Sequence, residues 1–363
     1  MSAPRIEIDL DKIRHNALSL VEQLSPRGIS ITGVTKAYLG SPEIATTLLQ
    51  AGIHALGDSR IQNLETMRCA NVDAAMMLIR SPMLSQVDQV VDLANVSFNT
   101  ELDVIRGLSD AACKTGRDHG VVLMIELGDL REGIMPNDLE SIVRQVLSLP
   151  NIQLKGIGAN LACRSGVSPS ACNMAELSDL ANAIERTFDI KLDIISGGNS
   201  GNLQWALSGA ETGRINNLRL GEALLLGCET LQRQRIEGLY TDAFILVAEV
   251  IESKIKPAQP WGEIAQTAFG EPATPSESLE KQGFITQTIL AIGLQDTDTA
   301  GLQVSDGMKI LGASSDHLII DAGRKLPIGT EIRLQLNYSS LVRAMTSPFV
   351  AKVYSDTKLH NVA

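Results

Sequence analysis

Aromatic side chains are scarce in this sequence. Phe, Tyr and Trp make up 3% of its 363 residues, so a core has to be assembled from Leu, Ile, Val, Ala and Met. Cysteine is sparse too. The five, Cys69, Cys113, Cys163, Cys172 and Cys228, include no C-x-x-C pair, and an odd, scattered set does not read as a disulfide framework. Five histidines form no H-E-x-x-H and no His/Cys cluster, so a structural metal is not expected. Positive charge is in deficit: 31 Lys and Arg stand against 42 Asp and Glu, a net −11. Nucleic acid and anionic membrane need a basic face and are excluded as expected partners. No apolar run is long enough to span a bilayer, and the opening Met-Ser-Ala-Pro-Arg-Ile-Glu lacks the apolar stretch of a signal peptide. The expectation is a reduced, cytoplasmic protein.

What the sequence does contain is a long alternation of strand-like and helix-like segments. Strands read at 29–35, 55–56, 75–79, 96–98, 121–126, 154–158, 192–196 and 217–220, with helical stretches between them. Ser41-Pro42-Glu43 opens one helix by the usual cap chemistry, and Gly52 stops it. Before the first strand, Asp11 opens a helix with Ile13, Ala17, Leu20 and Leu24 on one face. Eight strands, each leading into a helix, are the count of a (β/α)8 barrel; an open doubly wound sheet is the alternative. The pattern changes near Arg235. Strands at 247–251, 284–292, 309–311, 318–321 and 332–337 follow one another without intervening helices, which predicts an all-β second domain. Within it, the Pro-, Ser- and Glu-rich stretch 270–282 reads as an exposed excursion. The expected division is 1–235 for the barrel and 236–363 for the C-terminal β domain.

In a barrel, chemistry gathers where the strands end. The first strand ends in Val34-Thr35-Lys36-Ala37-Tyr38. A lysine there is costly unless it has a task, and burial makes its amine nucleophilic toward an aldehyde. Taken alone, Lys36 is equally a snorkelling or ion-paired lysine. The seventh strand runs into Gly197-Gly198-Asn199-Ser200-Gly201, and the eighth into Gly221-Glu222. Two neighbouring donor loops suit a phosphate, although the glycine-rich one lacks P-loop and dinucleotide-fold spacing. Arg131 and Arg219 add fixed cations to the same rim, or else ion pairs with Asp129, Glu132 or Glu222.

These residues resemble the alanine racemase family. Val34–Tyr38 resembles its cofactor-lysine strand. Gly128-Asp129-Leu130-Arg131-Glu132-Gly133, Gly156-Ile157-Gly158-Ala159-Asn160, Ser196–Ser200 and Asn216–Glu222 are closer still to its ornithine racemase branch, as are Gly262-Glu263-Ile264, Ile310–Leu318 and Ala344–Pro348. The resemblance implies a pyridoxal 5′-phosphate (PLP) enzyme with a barrel followed by a β domain. It also implies a homodimer in which each β domain completes the partner's site. By position, Lys36 would carry PLP as an imine. Asn199, Ser200 and the backbone at Gly221 and Glu222 would line the phosphate, with Tyr38. Arg131 would sit near the ring's phenolic oxygen, Arg219 would face the ring nitrogen, and Asn160 replaces a histidine of alanine racemases. A second departure is Gly293-Leu294-Gln295-Asp296, where alanine racemases carry the tyrosine that serves as the second base. Asp316 is the favoured replacement, ahead of Asp296 and Ser315. The expected substrate is an amino acid with a basic side chain, ornithine first, with Asp129, Asp242, Glu263 and Asp296 as possible partners for its ammonium. A broad-specificity racemase, another PLP reaction on D-amino acids, and a non-catalytic PLP-homeostasis protein are the alternatives.

Overall fold

The computed structural model describes residues 3–266 and 283–356, so the stretch 270–282 lies outside the described residues. The chain forms two compact units, Leu10–Thr241 and a second that joins Met1–Asp9 to Asp242–Ala363. Domain limits at 235/236 were expected; the units change at Asp9/Leu10 and Thr241/Asp242.

Leu10–Thr241 holds a closed barrel of eight parallel strands in sequential order. The strands are Ser30–Val34, Ala55–Asp58, Ala75–Leu78, Val96–Asn99, His119–Met124, Ile152–Gly158, Ile194–Ser196 and Asn217–Leu220. The eighth closes on the first, with Leu218 opposite Ile31 and Leu220 opposite Gly33. An interior cluster of Met77, Val96, Phe98, Val122 and Met124 packs against Ala55, Ile79 and Ile194, so methionine and aliphatics do the filling that the scarce aromatics do not. The helices outside are built as their sequences predict. Leu10–Leu24 buries Ile13, Ala17, Leu20 and Leu24 along one stripe. Pro42–Gln50 is capped by Ser41, whose hydroxyl accepts from Ile44 N. Each buried Leu or Ile on such a stripe stabilises by about 1.5–3 kcal/mol, which outweighs the few tenths contributed by local propensity. The closed barrel settles the alternative of an open sheet.

In the other unit an antiparallel sheet runs in the order Leu302–Gln303, Glu331–Leu336, Phe244–Pro257, Phe284–Leu290, Leu318–Asp321, Lys309–Ala313. Phe244–Pro257 changes partners along its length. Its first part pairs with Glu331–Leu336, and after a bulge at Val250/Glu252 it pairs with Phe284–Leu290. Two features depart from the expected all-β pattern. Arg5–Asp9 is a strand of this sheet, antiparallel to Phe244–Val247 and parallel to Ala351–Ser355. Tyr338–Thr346 is a helix, capped by Asn337 accepting from Ser340 N at 2.9 Å. The strand reading ran through Asn337 because Ile332–Leu336 alternates cleanly; the cap residue is where that alternation gives way to helical spacing at Leu341, Ala344 and Met345. Among the described residues no helix is long and apolar enough to cross a membrane.

Candidate active site

The loops after the barrel strands share one rim. Strand one leaves through Thr35 into a single 3₁₀ turn, Lys36–Tyr38, which stops where Leu39 turns left-handed (φ 55°). Thr35 is the hub of that turn. Its N–H donates to Gly57 O (2.9 Å), its carbonyl accepts from Tyr38 N (3.1 Å) and Gly40 N (3.3 Å), and its hydroxyl donates to the buried Asp58 carboxylate at 2.5 Å. Asp58 also accepts from Arg60 N (2.8 Å) and from Asn63 Nδ2 (3.1 Å). Burial pushes the Asp58 carboxyl up, and these bonds offset only part of the push.

Lys36 reaches solvent at the mouth, yet the walls around it displace much of its water. That desolvation pulls its ammonium below the ordinary lysine value. Arg131 and Arg219 pull the same way, while Cys163 and Asp58 oppose them. Tyr38, two residues on, is fully buried, and among the described residues its hydroxyl has no hydrogen-bond partner. Burial, with Asp58 nearby, holds its phenol well above the usual range, so it stays a donor.

Arg131, after strand five, pairs with Glu132 and donates through Nη1 to Cys163 Sγ at 2.7 Å. Cys163 is brought there by Asp129. The buried Asp129 carboxylate accepts from the amides of Cys163 (3.2 Å), Arg164 (2.8 Å), Ser165 (3.1 Å) and Val167 (3.4 Å). Burial pushes its carboxyl up, but the four amides together bring it below the usual value. Asp129 therefore anchors a loop and has no oxygen to offer a substrate ammonium, a correction to its candidacy. Asp296, another candidate, is buried and accepts from Ser347 Oγ at 2.8 Å.

The loops after strands seven and eight touch. Asn199 accepts from Gly201 N (2.8 Å) and donates to Leu161 O (2.7 Å) and Asn160 Oδ1 (3.3 Å), so its side chain is spent on holding the turn. Gly198 (φ 143°) has no room for a side chain, since a Cβ there would lie 2.2 Å from Asn202 Oδ1. Ser200 is buried, and its Oγ accepts from Ala223 N at 3.3 Å, which links the two loops. Ser200 and Glu222 each open a helical turn, so their amides have no acceptor within it. A Cβ at Gly221 would come 3.2 Å from Val34 Cβ, which keeps this loop tight against strand one. The buried Glu222 side chain pairs with Arg233. Arg219 is buried, donates to Ala159 O (2.7 Å) and Asn160 Oδ1 (3.2 Å), and stacks over Phe98 with 5.0 Å from Cζ to the ring centroid. Burial pushes its pKa down to about 10, which leaves it charged at neutral pH.

Residues 8–228 match the model of the alanine racemase N-terminal domain, 221 of 363 positions when both ends are counted. The chain belongs to the alanine racemase N-terminal domain family. Among relatives of the whole chain, ornithine racemase of Acetoanaerobium sticklandii is 38% identical over 96% of this chain and 99% of its own. Lysine racemase of Thermotoga maritima is 36% identical over 98% of this chain and 99% of its own. The fold is that of solved alanine racemases. One from Bartonella henselae, described with covalently bound pyridoxal phosphate, superposes with a TM-score of 0.73 at 16% identity, covering 98% of this chain and 100% of that one.

Of the residues expected at the alanine racemase site, Lys36, Tyr38, Arg131, Asn160, Asn199, Ser200, Arg219, Gly221 and Glu222 all lie on the loops or strand ends of this one rim. Asp316 belongs to the other unit. There it sits on the exposed turn between Lys309–Ala313 and Leu318–Asp321, bonded by Ser315 Oγ (3.2 Å) and His317 Nδ1 (2.9 Å), which hold its carboxyl below the usual value. The sequence reading missed Asp58, Phe98 and Cys163. Asp58 ends its strand and Phe98 is the last residue but one of its own, and a buried position so near a strand end is a usable signal. Cys163 carries none, because its approach to Arg131 depends on amides 34 to 38 residues beyond Asp129.

Proposed function

We propose that this chain is a PLP-dependent racemase of basic amino acids, ornithine or lysine, with Lys36 as the cofactor anchor. The observation that carries the reading is the near full-length similarity to two racemases named for basic amino acids. The residues present fit the cofactor. A buried Tyr38 hydroxyl without a partner, the Ser200 hydroxyl and the first-turn amides of Ser200 and Glu222 make a donor set for a phosphate. When bound, PLP supplies an electron-withdrawing ring that makes the α-proton of an attached amino acid removable. Lys36 Nζ, neutral at lower pH than an ordinary lysine, takes that proton from one face of Cα. Arg219, which cannot accept a proton, would offer the cofactor a fixed positive charge. Arg131, oriented by Glu132 and Cys163, would help to hold the cofactor.

A second copy supplies the opposite face. Leu39, Met83, Leu84 and Leu130, on the loops after strands one, three and five, are exposed apolar side chains, and their exposure supports a covering partner. Asp316 is proposed as the acid–base group brought by that partner. In its own unit its turn is bonded to the turn of Leu294: Leu294 N donates to Ser314 O and Gln295 N to Ser315 O, both at 2.9 Å. Covering the turn has to raise the Asp316 carboxyl before it can donate. Five unpaired thiols support a reducing, cytoplasmic setting.

Chiral chromatography of ornithine, lysine, arginine and alanine, both enantiomers, with PLP added, is the test. Lys36→Ala should abolish turnover and the visible absorption of bound cofactor. Near wild-type racemisation by that variant overturns the anchor assignment. PLP binding without exchange of any amino acid's Cα hydrogen in deuterated water overturns the racemase.

A further inference from the structure

A buried guanidinium ordinarily has an anion for company. Arg219 has none bonded to it: among the described residues every hydrogen-bond partner of its guanidinium is neutral, and Glu132 attracts it only through space. Nη1 donates to Ser196 Oγ at 2.5 Å, and Nη2 donates to Ala159 O and Asn160 Oδ1. The bonds continue beneath it. Ser196 Oγ donates to Asn217 Oδ1 (2.8 Å), Asn217 Nδ2 donates to Thr32 Oγ1 (3.0 Å) and Ser30 Oγ (3.3 Å), and Ser30 Oγ donates to Asn216 O (2.9 Å). Ser196, Asn217 and Thr32 are buried inside a barrel whose neighbouring layer is apolar.

The direction of every link follows from the first. Arginine can only donate, so the Ser196 oxygen accepts and its proton must go onward. That fixes the Asn217 amide with its oxygen toward Ser196 and its nitrogen toward Thr32 and Ser30. Each dipole therefore turns its negative end to the guanidinium. Room for this arrangement comes from Gly158, where a Cβ would lie 3.1 Å from Ser196 Cβ and 3.5 Å from Arg219 Nη1.

We propose that Ser196 and Asn217 are positioning residues that hold Arg219 as an un-neutralised cation, its charge stabilised by a string of aligned dipoles in place of a carboxylate. The inference rests on the reading of this rim as a PLP site. It gives the string a task there: the guanidinium is kept oriented without a directly bonded anion to take up its charge, so that charge is available to the cofactor.

PLP titration of the apoprotein, read by visible absorption and paired with thermal melts, tests it. Ser196→Ala should weaken PLP binding on the order of tenfold, the scale of one hydrogen bond to a charged group, and shift the band of the bound cofactor. Ser196→Thr, which keeps the hydroxyl, should restore both. Ser109→Ala, which removes a buried hydroxyl outside the string, bonded to Pro150 O at 2.7 Å, should lower the melting temperature and leave affinity and band alone. If Ser196→Ala and Ser109→Ala lower stability alike while affinity and band stay at wild type, the string is structural only and the proposal fails. Should Ser196→Ala not fold, Asn217→Leu removes the acceptor that orients the same hydroxyl, with the same two outcomes. A wild-type protein that takes up no PLP overturns the functional reading itself, a result separable from a silent Ser196→Ala.

Discussion

Inside the barrel unit the Tyr38 hydroxyl finds nothing to bond among the described residues. A group in that state costs about 1–3 kcal/mol. Tyr38→Phe is therefore expected to leave the cofactor-free protein as stable as before, or about 1 kcal/mol more so, while PLP affinity falls roughly tenfold. Melting curves with and without cofactor separate the two effects; lower stability without PLP would show a hydroxyl already satisfied by the fold. Lys36 carries a pH prediction. Its folded pKa lies below the free value of 10.5, so the folded state binds fewer protons than the unfolded one between those two values. Stability should rise with pH through that window, and Lys36→Met should flatten the rise in pH-dependent denaturation. By the same sign, capture of PLP by the apoprotein should accelerate with a midpoint below 10.5. Lys36 was legible in the sequence because it ends an apolar strand. Tyr38's burial was not: a tyrosine in a loop motif reads the same whether its ring is inside or out, and only the turn around Thr35 decides.

Between elements, the strongest polar tie is the loop after strand six held by Asp129 after strand five. Asp129→Ala strips four amides of their acceptor and should destabilise by about 3 kcal/mol or more, read by chemical denaturation. Arg131 would lose its Cys163 contact as that loop loosens. A shift under 1 kcal/mol would mean that water replaces the carboxylate without loss. Strand five holds a second test. His119 is buried beside Ser97, Nε2 to Oγ 2.7 Å, and burial lowers its pKa to about 4 from 6.5. The unfolded chain then takes a proton that the folded one refuses. Stability falls as pH drops below 6.5, by about 3 kcal/mol once pH passes 4, at about 1.4 kcal/mol per unit. His119→Gln should remove most of that acid loss, measured between pH 7 and 4. The eight strands could be read from sequence because most are short, largely apolar segments bounded by turn residues and separated by helical stretches. His119 escaped because a polar residue at a strand start looks like the end of the preceding loop, and the Asp129 anchor escaped because its partners lie far along the chain.

For the molecule as a whole, one unread element is the strand Arg5–Asp9. Its alternation is plain, Ile6 and Ile8 inward and Arg5, Glu7 and Asp9 outward, but five residues ahead of a helix give no hint of partners so far down the chain. Those partners are strands on both of its sides, and burying the two isoleucines contributes about 3–6 kcal/mol. Deleting residues 1–9 should leave Leu10–Thr241 resistant to limited proteolysis and open 242–356 to cutting; equal resistance would show that the sheet closes without the strand. Dimerisation should appear as a sedimentation coefficient that falls on dilution, and charged substitutions at Leu84 and Leu130 should shift the balance to the monomer. The same strand sets an order of events during synthesis. Arg5 leaves the ribosome before either neighbour: Val247 follows 242 positions later (247 − 5) and Ala351 346 positions later (351 − 5), roughly 12–48 s and 17–70 s at ribosomal rates of 5–20 residues per second. Until Val247 follows, Ile6 and Ile8 have no strand to pair with while the barrel sequence is still being made. Wrong pairing during synthesis is therefore a hazard of this short strand more than of the barrel, whose strands pair with neighbours in sequence.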